Sequence, residues 1–330
     1  MLETRQSTTP SGTSSQPRCL VVMYHYIRHA RTPSGEGIHA ITPDELRAQL
    51  EKLITRYTPI TWPDFVSWKA GRTQFSTDMA LFTFDDGLKD HLRFAAPVLE
   101  EYGIQGIFFV PGIVLVEPTM LTAHAVHALV GKIGMKAFQQ RLRERLVDLP
   151  RSMDLDESER RIATQIYHYE DIETASMKYL LNFKLSPGFR RELIEMMMQE
   201  EIGPSADLAR EFYLNWEDLI RLQARGHTIG GHGFSHDPYS QLSHGDRDRD
   251  LRQSADVLEE GLGPGSRPFS YPFGQVDDET ADVCRRAGFH HGFTTRREWA
   301  AANAPDMLIP RVDTIHVDAF LEESTSCSRR

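Results

Sequence analysis

Ala80-Leu81-Phe82-Thr83-Phe84-Asp85-Asp86-Gly87 sets two adjacent carboxylates at the end of an almost wholly apolar run, with a glycine to turn the chain. A run that is apolar throughout, not at every second position, predicts a strand covered on both faces. Inside a strand, neighbouring side chains point to opposite faces. At its end Gly87 frees the turn, so both carboxylates can reach one pocket. There they repel each other unless a cation or a shared proton relieves them. Alone, Asp-Asp-Gly also reads as a solvated turn, so the weight falls on what accompanies it.

Outward from this stretch, similar short runs recur at Cys19–Tyr24, Gly106–Val110, His227–Gly230, Phe269–Tyr271 and Gly292–Thr294. Amphipathic stretches with helix signals separate them. Thr42-Pro43-Asp44-Glu45 supplies an N-cap, a proline at N1 and a glutamate at N3, and Leu46, Leu50, Leu53 and Tyr57 follow on one face. Asn215 opens a second helix, which Gly226 closes. Strand–helix alternation predicts an α/β fold with a parallel sheet or barrel, whose functional loops lie at the carboxyl ends of the strands.

One block breaks the alternation. From Ile113 to Tyr213 no strand is evident, but Phe138, Leu142, Leu146 and Leu149 share a helical face, as do Phe189, Leu193 and Met197. The block is far too long for a plain loop. The expectation is a helical insertion at 113–213, carried by a barrel formed from 18–112 and 214–323, with 1–17 and 324–330 as flexible tails.

Composition narrows the function classes. Of 330 residues, 40% are hydrophobic, enough for a buried core, and the net charge of −10 comes without a basic stripe, which excludes a phosphate-neutralising nucleic-acid surface. The charged runs Asp246–Asp250 and Arg141–Arg145 read as solvated helix faces. Three cysteines, Cys19, Cys284 and Cys327, form neither a disulfide framework nor a thiolate metal site. The start of the chain has no apolar signal core, and no apolar run reaches the ~20 residues of a membrane span, so the expected location is cytoplasmic. His124, His127 and His168 lie in the helical block without a carboxylate pattern and read as structural. Trp62, Trp68, Trp216 and Trp299 read mainly as packing residues, with stacking on sugar rings as the alternative.

A second signal turns the carboxylate pair into a candidate metal site. Gly230-Gly231-His232-Gly233-Phe234-Ser235-His236 ends another apolar run with two imidazoles four residues apart. That spacing lets both reach one ion on a helical turn.

Thr83-Phe84-Asp85-Asp86-Gly87, then His232-x-x-x-His236, then Tyr271-Pro272-Phe273-Gly274, in this order and each after a strand, resembles the polysaccharide deacetylase family, also called NodB-homology or carbohydrate esterase family 4. The resemblance covers roughly 19–112 and 214–317. It implies a distorted (β/α) barrel with the helical block inserted, and a hydrolase that removes an N-acetyl group from a sugar in a polysaccharide, glycolipid or glycan precursor. It further implies Asp85 as general base and Asp86, His232 and His236 as ligands of one divalent ion, zinc first, with cobalt, nickel, manganese or iron as alternatives. The backbone N–H of Phe273 becomes an oxyanion donor, with Tyr271 beside it as a substrate contact. The family's acid is a histidine from a late loop, for which His316 stands at a suitable distance. His25, which ends the first strand, competes as acid or substrate contact.

Two departures accompany the resemblance. Ser270 stands where the family commonly has an arginine, two residues before the proline, and the family's Asp-Trp element has no counterpart. Arg311 is the candidate replacement cation, and its neighbour Asp313 a candidate to orient an imidazole. An amidohydrolase of small non-sugar amides or formamides and a non-catalytic carbohydrate-binding barrel remain as competing functions.

Overall fold

Among the described residues eight parallel strands form a single curled sheet: β1 Cys19–Tyr24, β2 Thr58–Pro59, β3 Met79–Phe84, β4 Gly106–Val110, β5 Thr228–Gly231, β6 Phe269–Ser270, β7 Gly292–Phe293 and β8 Val312–Asp313. The computed structural model describes residues 16–29, 40–146, 155–167 and 171–327. Residues 1–15 of the expected N-terminal tail and 328–330 of the C-terminal one, together with Leu149 and His168, lie outside the described residues, and 324–327 belong to the helix Val317–Cys327. The strand order is β7-β6-β5-β4-β3-β1-β8, and β2 pairs with the first residues of β3. One short stretch draws the ends of the sheet together. Ile309 exchanges backbone hydrogen bonds of 2.8 Å with Gly292 and Thr294, and three residues later Val312 pairs with Val22 of β1.

The strands are apolar on both faces because each face meets a different core. Leu20, Val22 and Tyr24 of β1, with Ala80, Phe82 and Phe84 of β3, pack against outer helices through residues such as Leu46, Leu50 and Leu99. Cys19, Val21, Met79 and Leu81 face the inside of the curl, which Trp62, Phe65 and Trp68 help to fill. Two capping boxes start outer helices where the sequence signals them, at Thr42 for Pro43–Ile54 and at Asn215 for Trp216–Ala224. Cys19 and Cys284 are buried free thiols.

Between β4 and β5 the regular elements among the described residues are all helices, including Thr122–Ile133, Met135–Leu146, Ile172–Tyr179, Pro187–Glu201 and Ser205–Phe212. They share a core of their own, including Leu129, Phe138, Leu142, Leu193 and Met197, which continues onto Tyr26 and Leu88 just after β1 and β3. The helical block therefore stands over the carboxyl ends of the strands. One sequence reading is corrected. In the charged run of helix His244–Leu262, Arg247 and Asp250 are buried, because this helix packs against the loop after β5 as well as facing water. No helix among the described residues is long and apolar enough to cross a membrane.

Candidate active site

Asp85 continues the inward face of β3, where Thr83 precedes it by two residues. Arg311 meets it end-on: Nη1 donates to Asp85 Oδ1 and Nη2 to Asp85 Oδ2, both at 2.7 Å. The same guanidinium donates to Ser270 Oγ at 2.8 Å, to Thr83 Oγ1 at 3.2 Å and to the Thr294 carbonyl at 3.1 Å, and Ser270 Oγ donates to Asp85 Oδ2 at 3.1 Å. Arg311 is 1% exposed and Asp85 2%. Burial by itself raises the Asp85 carboxyl, but the charge of Arg311, that of His232 and the Arg311 hydrogen bonds outweigh it and hold the group at about 2. Ser270 is small enough to leave room for Arg311, so the cation missing two residues before Pro272 arrives from beside β8.

Strand alternation turns Asp86 away from Asp85. A left-handed backbone, φ 77°, brings it back. The only non-glycine residues with positive φ among the described residues are Asp86, His236 (59°) and Phe273 (58°). Each costs on the order of 1–3 kcal/mol, and such strain gathers where a fold aims side chains at a shared point. Around His236 the loop is built to bear it. Gly233 has φ 70°, and any Cβ there would press on Tyr239 Oη and Asp250 Oδ1. Asp250 accepts the Phe234 and Ser235 backbone N–H groups at 2.9 and 2.7 Å. The next residue, Asp237, takes a buried ion pair from Arg190 of helix Pro187–Glu201.

The structure brings Asp86, His232 and His236 together, with one ligand atom of each within 4.8 Å of the others. His232 Nε2 and His236 Nε2 stand 3.3 and 3.1 Å from Asp86 Oδ1. Yet Asp86 Oδ1 is buried and accepts no hydrogen bond. His232 donates its Nδ1 proton to the Ser270 carbonyl at 2.7 Å, so in the neutral ring Nε2 is the nitrogen whose lone pair faces the carboxylate. A buried anionic oxygen beside two imidazole nitrogens calls for a cation between them, either a proton on a ring or a metal ion. The donor set, one carboxylate and two imidazoles, fits a zinc-type divalent ion with a coordination position left open.

These groups line a cavity of about 300 Å³. His25 borders it, as do Phe273, Asp313 and Thr314. His316 is not among the lining residues: it lies two residues past Thr314 in the tight turn Thr314–His316, and so most of a turn further round. The Asp313 carboxylate accepts the Ile315 N–H at 3.1 Å and caps that turn. Tyr271 borders the cavity, but its ring is fully buried in the outer core against Phe269. Ser270 holds the inward position beside it. None of the four tryptophans lines the cavity.

The opposite wall comes from the helical block, and sequence reasoning missed it. His124 and His127 of helix Thr122–Ile133 line the cavity, with Lys178, Leu181 and Asn182. His124 Nε2 lies 3.0 Å from Asp86 Oδ2, and its Nδ1 lies 2.6 Å from Tyr213 Oη. His127 Nδ1 pairs with Tyr26 Oη at 3.0 Å, and burial pushes His127 down to about 3. No spacing in the sequence connects these histidines to Asp85-Asp86, because only the tertiary packing of the block onto the barrel rim does.

A family model described as polysaccharide deacetylase matches residues 194–292, a stretch that contains His232, His236 and Phe273 but not the carboxylate pair. The poly-beta-1,6-N-acetyl-D-glucosamine N-deacetylase of Staphylococcus aureus (strain MRSA252) is 30% identical over 97 residues, which is 28% of this chain and a third (33%) of that protein's length. Among solved structures, the Streptococcus pyogenes deacetylase PplD in complex with acetate aligns with a TM-score of 0.57 at 14% identity, over 91% of this chain and 93% of that one. IcaB from Ammonifex degensii aligns with a TM-score of 0.54 at 20% identity, over 94% and 96%. The structural likeness establishes the fold: a curled parallel half-barrel with many helices, as in NodB-type deacetylases.

Proposed function

We propose, for a chain that belongs to the polysaccharide deacetylase family, that it hydrolyses the N-acetyl group of an amino sugar within a polysaccharide or glycan precursor, using one divalent ion held by Asp86, His232 and His236. The observation that carries this reading is the buried, unpartnered Asp86 Oδ1 facing two imidazole nitrogens, one residue from a carboxylate locked by arginine. A divalent ion at that place supplies Lewis acidity, acidifying a water and polarising the acyl carbonyl.

Asp85 accepts the proton of the attacking water. Held at about 2, it is ionised at every working pH but weakly basic, so it can take a proton only from water already acidified. Arg311 and Ser270 fix both carboxylate oxygens, so the base does not rotate away during transfer. The Phe273 N–H donates to the oxygen that gains charge as the carbonyl carbon becomes tetrahedral, a contribution of ~3 kcal/mol for one such donor. His25, on the cavity wall, protonates the departing amine; His316 lies outside the lining and is not assigned this role. The helical block, read as an insertion into the barrel, closes one side of the sugar site.

Acetate release from poly-N-acetylglucosamine, measured with zinc-loaded protein, tests the reading. Asp85→Asn should lower turnover by about a hundredfold or more while retaining bound metal. Unchanged turnover in that variant, or no acetate release by the wild type across a panel of N-acetylated sugars, would contradict it.

A further inference from the structure

We infer that His124, supplied by the helical block, is a positioning residue that holds Asp86 for its ion by occupying one carboxylate oxygen and leaving the other bare. The inference rests on the ion proposed above.

The hydrogen-bond order follows from which groups can only donate. The Leu121 backbone N–H donates to Tyr213 Oη at 3.0 Å. The phenol proton then points to its other neighbour, His124 Nδ1 at 2.6 Å, which must accept it. His124 therefore carries its proton on Nε2 and donates it to Asp86 Oδ2 at 3.0 Å. The chain Leu121–Tyr213–His124–Asp86 needs no charged imidazole, and His124 and Tyr213 are both buried.

Its effect on Asp86 is geometric. With Oδ2 engaged by His124, Oδ1 is the oxygen turned to His232 and His236. His124 is not part of the three-residue ligand group, so it serves from behind the carboxylate. Tyr213 is anchored in turn: the backbone bridges Leu88 to Tyr213, and the Leu214 N–H donates to the Gly87 carbonyl at 2.8 Å, directly beside Asp86. The helical block thus supplies a carboxylate–histidine–tyrosine relay to a site whose ligands all come from the barrel. Partners of this kind typically change metal affinity by about 10- to 100-fold when removed.

The test is zinc affinity of the full chain, measured by competition with a chromophoric chelator and paired with thermal melts to establish folding. His124→Ala should raise the zinc Kd about tenfold or more. His124→Gln, whose amide nitrogen falls near the Nε2 position and can donate to Oδ2, should recover most of that loss. A folded His124→Ala that binds zinc as tightly as wild type overturns the inference, as does a His124→Gln no better than the alanine variant. Should His124→Ala not fold, Tyr213→Phe is read in the same way: a raised Kd supports the relay, an unchanged Kd overturns it. Failure of the wild type itself to bind zinc instead overturns the underlying metal reading.

Discussion

At the scale of single residues, the account turns on a carboxylate that burial would neutralise and a guanidinium that prevents it. Asp85 sits at about 2 against a usual 3.8, so its pairing contributes stability that is complete above pH ~4 and is lost as pH falls towards 2. Arg311→Gln reverses the sign. The buried carboxylate then lacks its partner, which should cost about 3 kcal/mol at neutral pH, and the cost should shrink on acidification as Asp85 protonates. The acid limb of kcat/KM should rise by about one pH unit or more. Melts at pH 3 and 7 with a pH–rate profile measure both; an unmoved acid limb would refute the role given to Arg311. Arg311→Lys should fall between the two, because one ammonium cannot reproduce two parallel bonds. This residue was legible in the sequence because Ser270 leaves a conspicuous gap in a known pattern. His124 was not, since its spacing from Ala125, Val126 and Leu129 marks an ordinary helix face and its link to Asp86 exists only after folding.

At the scale of elements, unbroken apolar runs located the six principal strands to within a residue at each end, and polar caps placed helix starts at Thr42 and Asn215. β2 and β8 were invisible because neither lies in an apolar run: Thr58–Pro59 is exposed, and β8 pairs Val312 with the charged Asp313. The run Asp246–Asp250 misled for a related reason: charge alternation looks the same whether a side chain meets water or a backbone N–H. Asp250 is a clamp. It accepts Phe234 N–H, Ser235 N–H and the Tyr239 hydroxyl, and so fixes the arc that carries His232 and His236. Asp250→Ala should therefore destabilise the protein by about 3 kcal/mol, since two backbone donors lose a buried acceptor. It should also weaken metal binding although Asp250 is no ligand. Denaturant melts and zinc titration check this; normal affinity in a folded variant would separate the clamp from the site.

At the scale of the whole molecule, two cores meet over one cavity: the barrel provides Asp85, Asp86, His232 and His236, and the helical block provides the facing wall and the contact to Asp86. An ion bound to the folded chain stabilises it by mass action, about 2.7 kcal/mol when its concentration is a hundred times Kd. Chelation should therefore lower Tm, and restored zinc should recover it, in wild type but not in a His232→Ala, His236→Ala double variant. The most direct measurement is anomalous scattering from zinc-loaded crystals. The account predicts a single strong peak at the zinc edge in contact with Asp86 Oδ1, His232 Nε2 and His236 Nε2, with His124 still bonded to Asp86 Oδ2. An absent peak, or one bound by other residues while this trio stays bare, would contradict it.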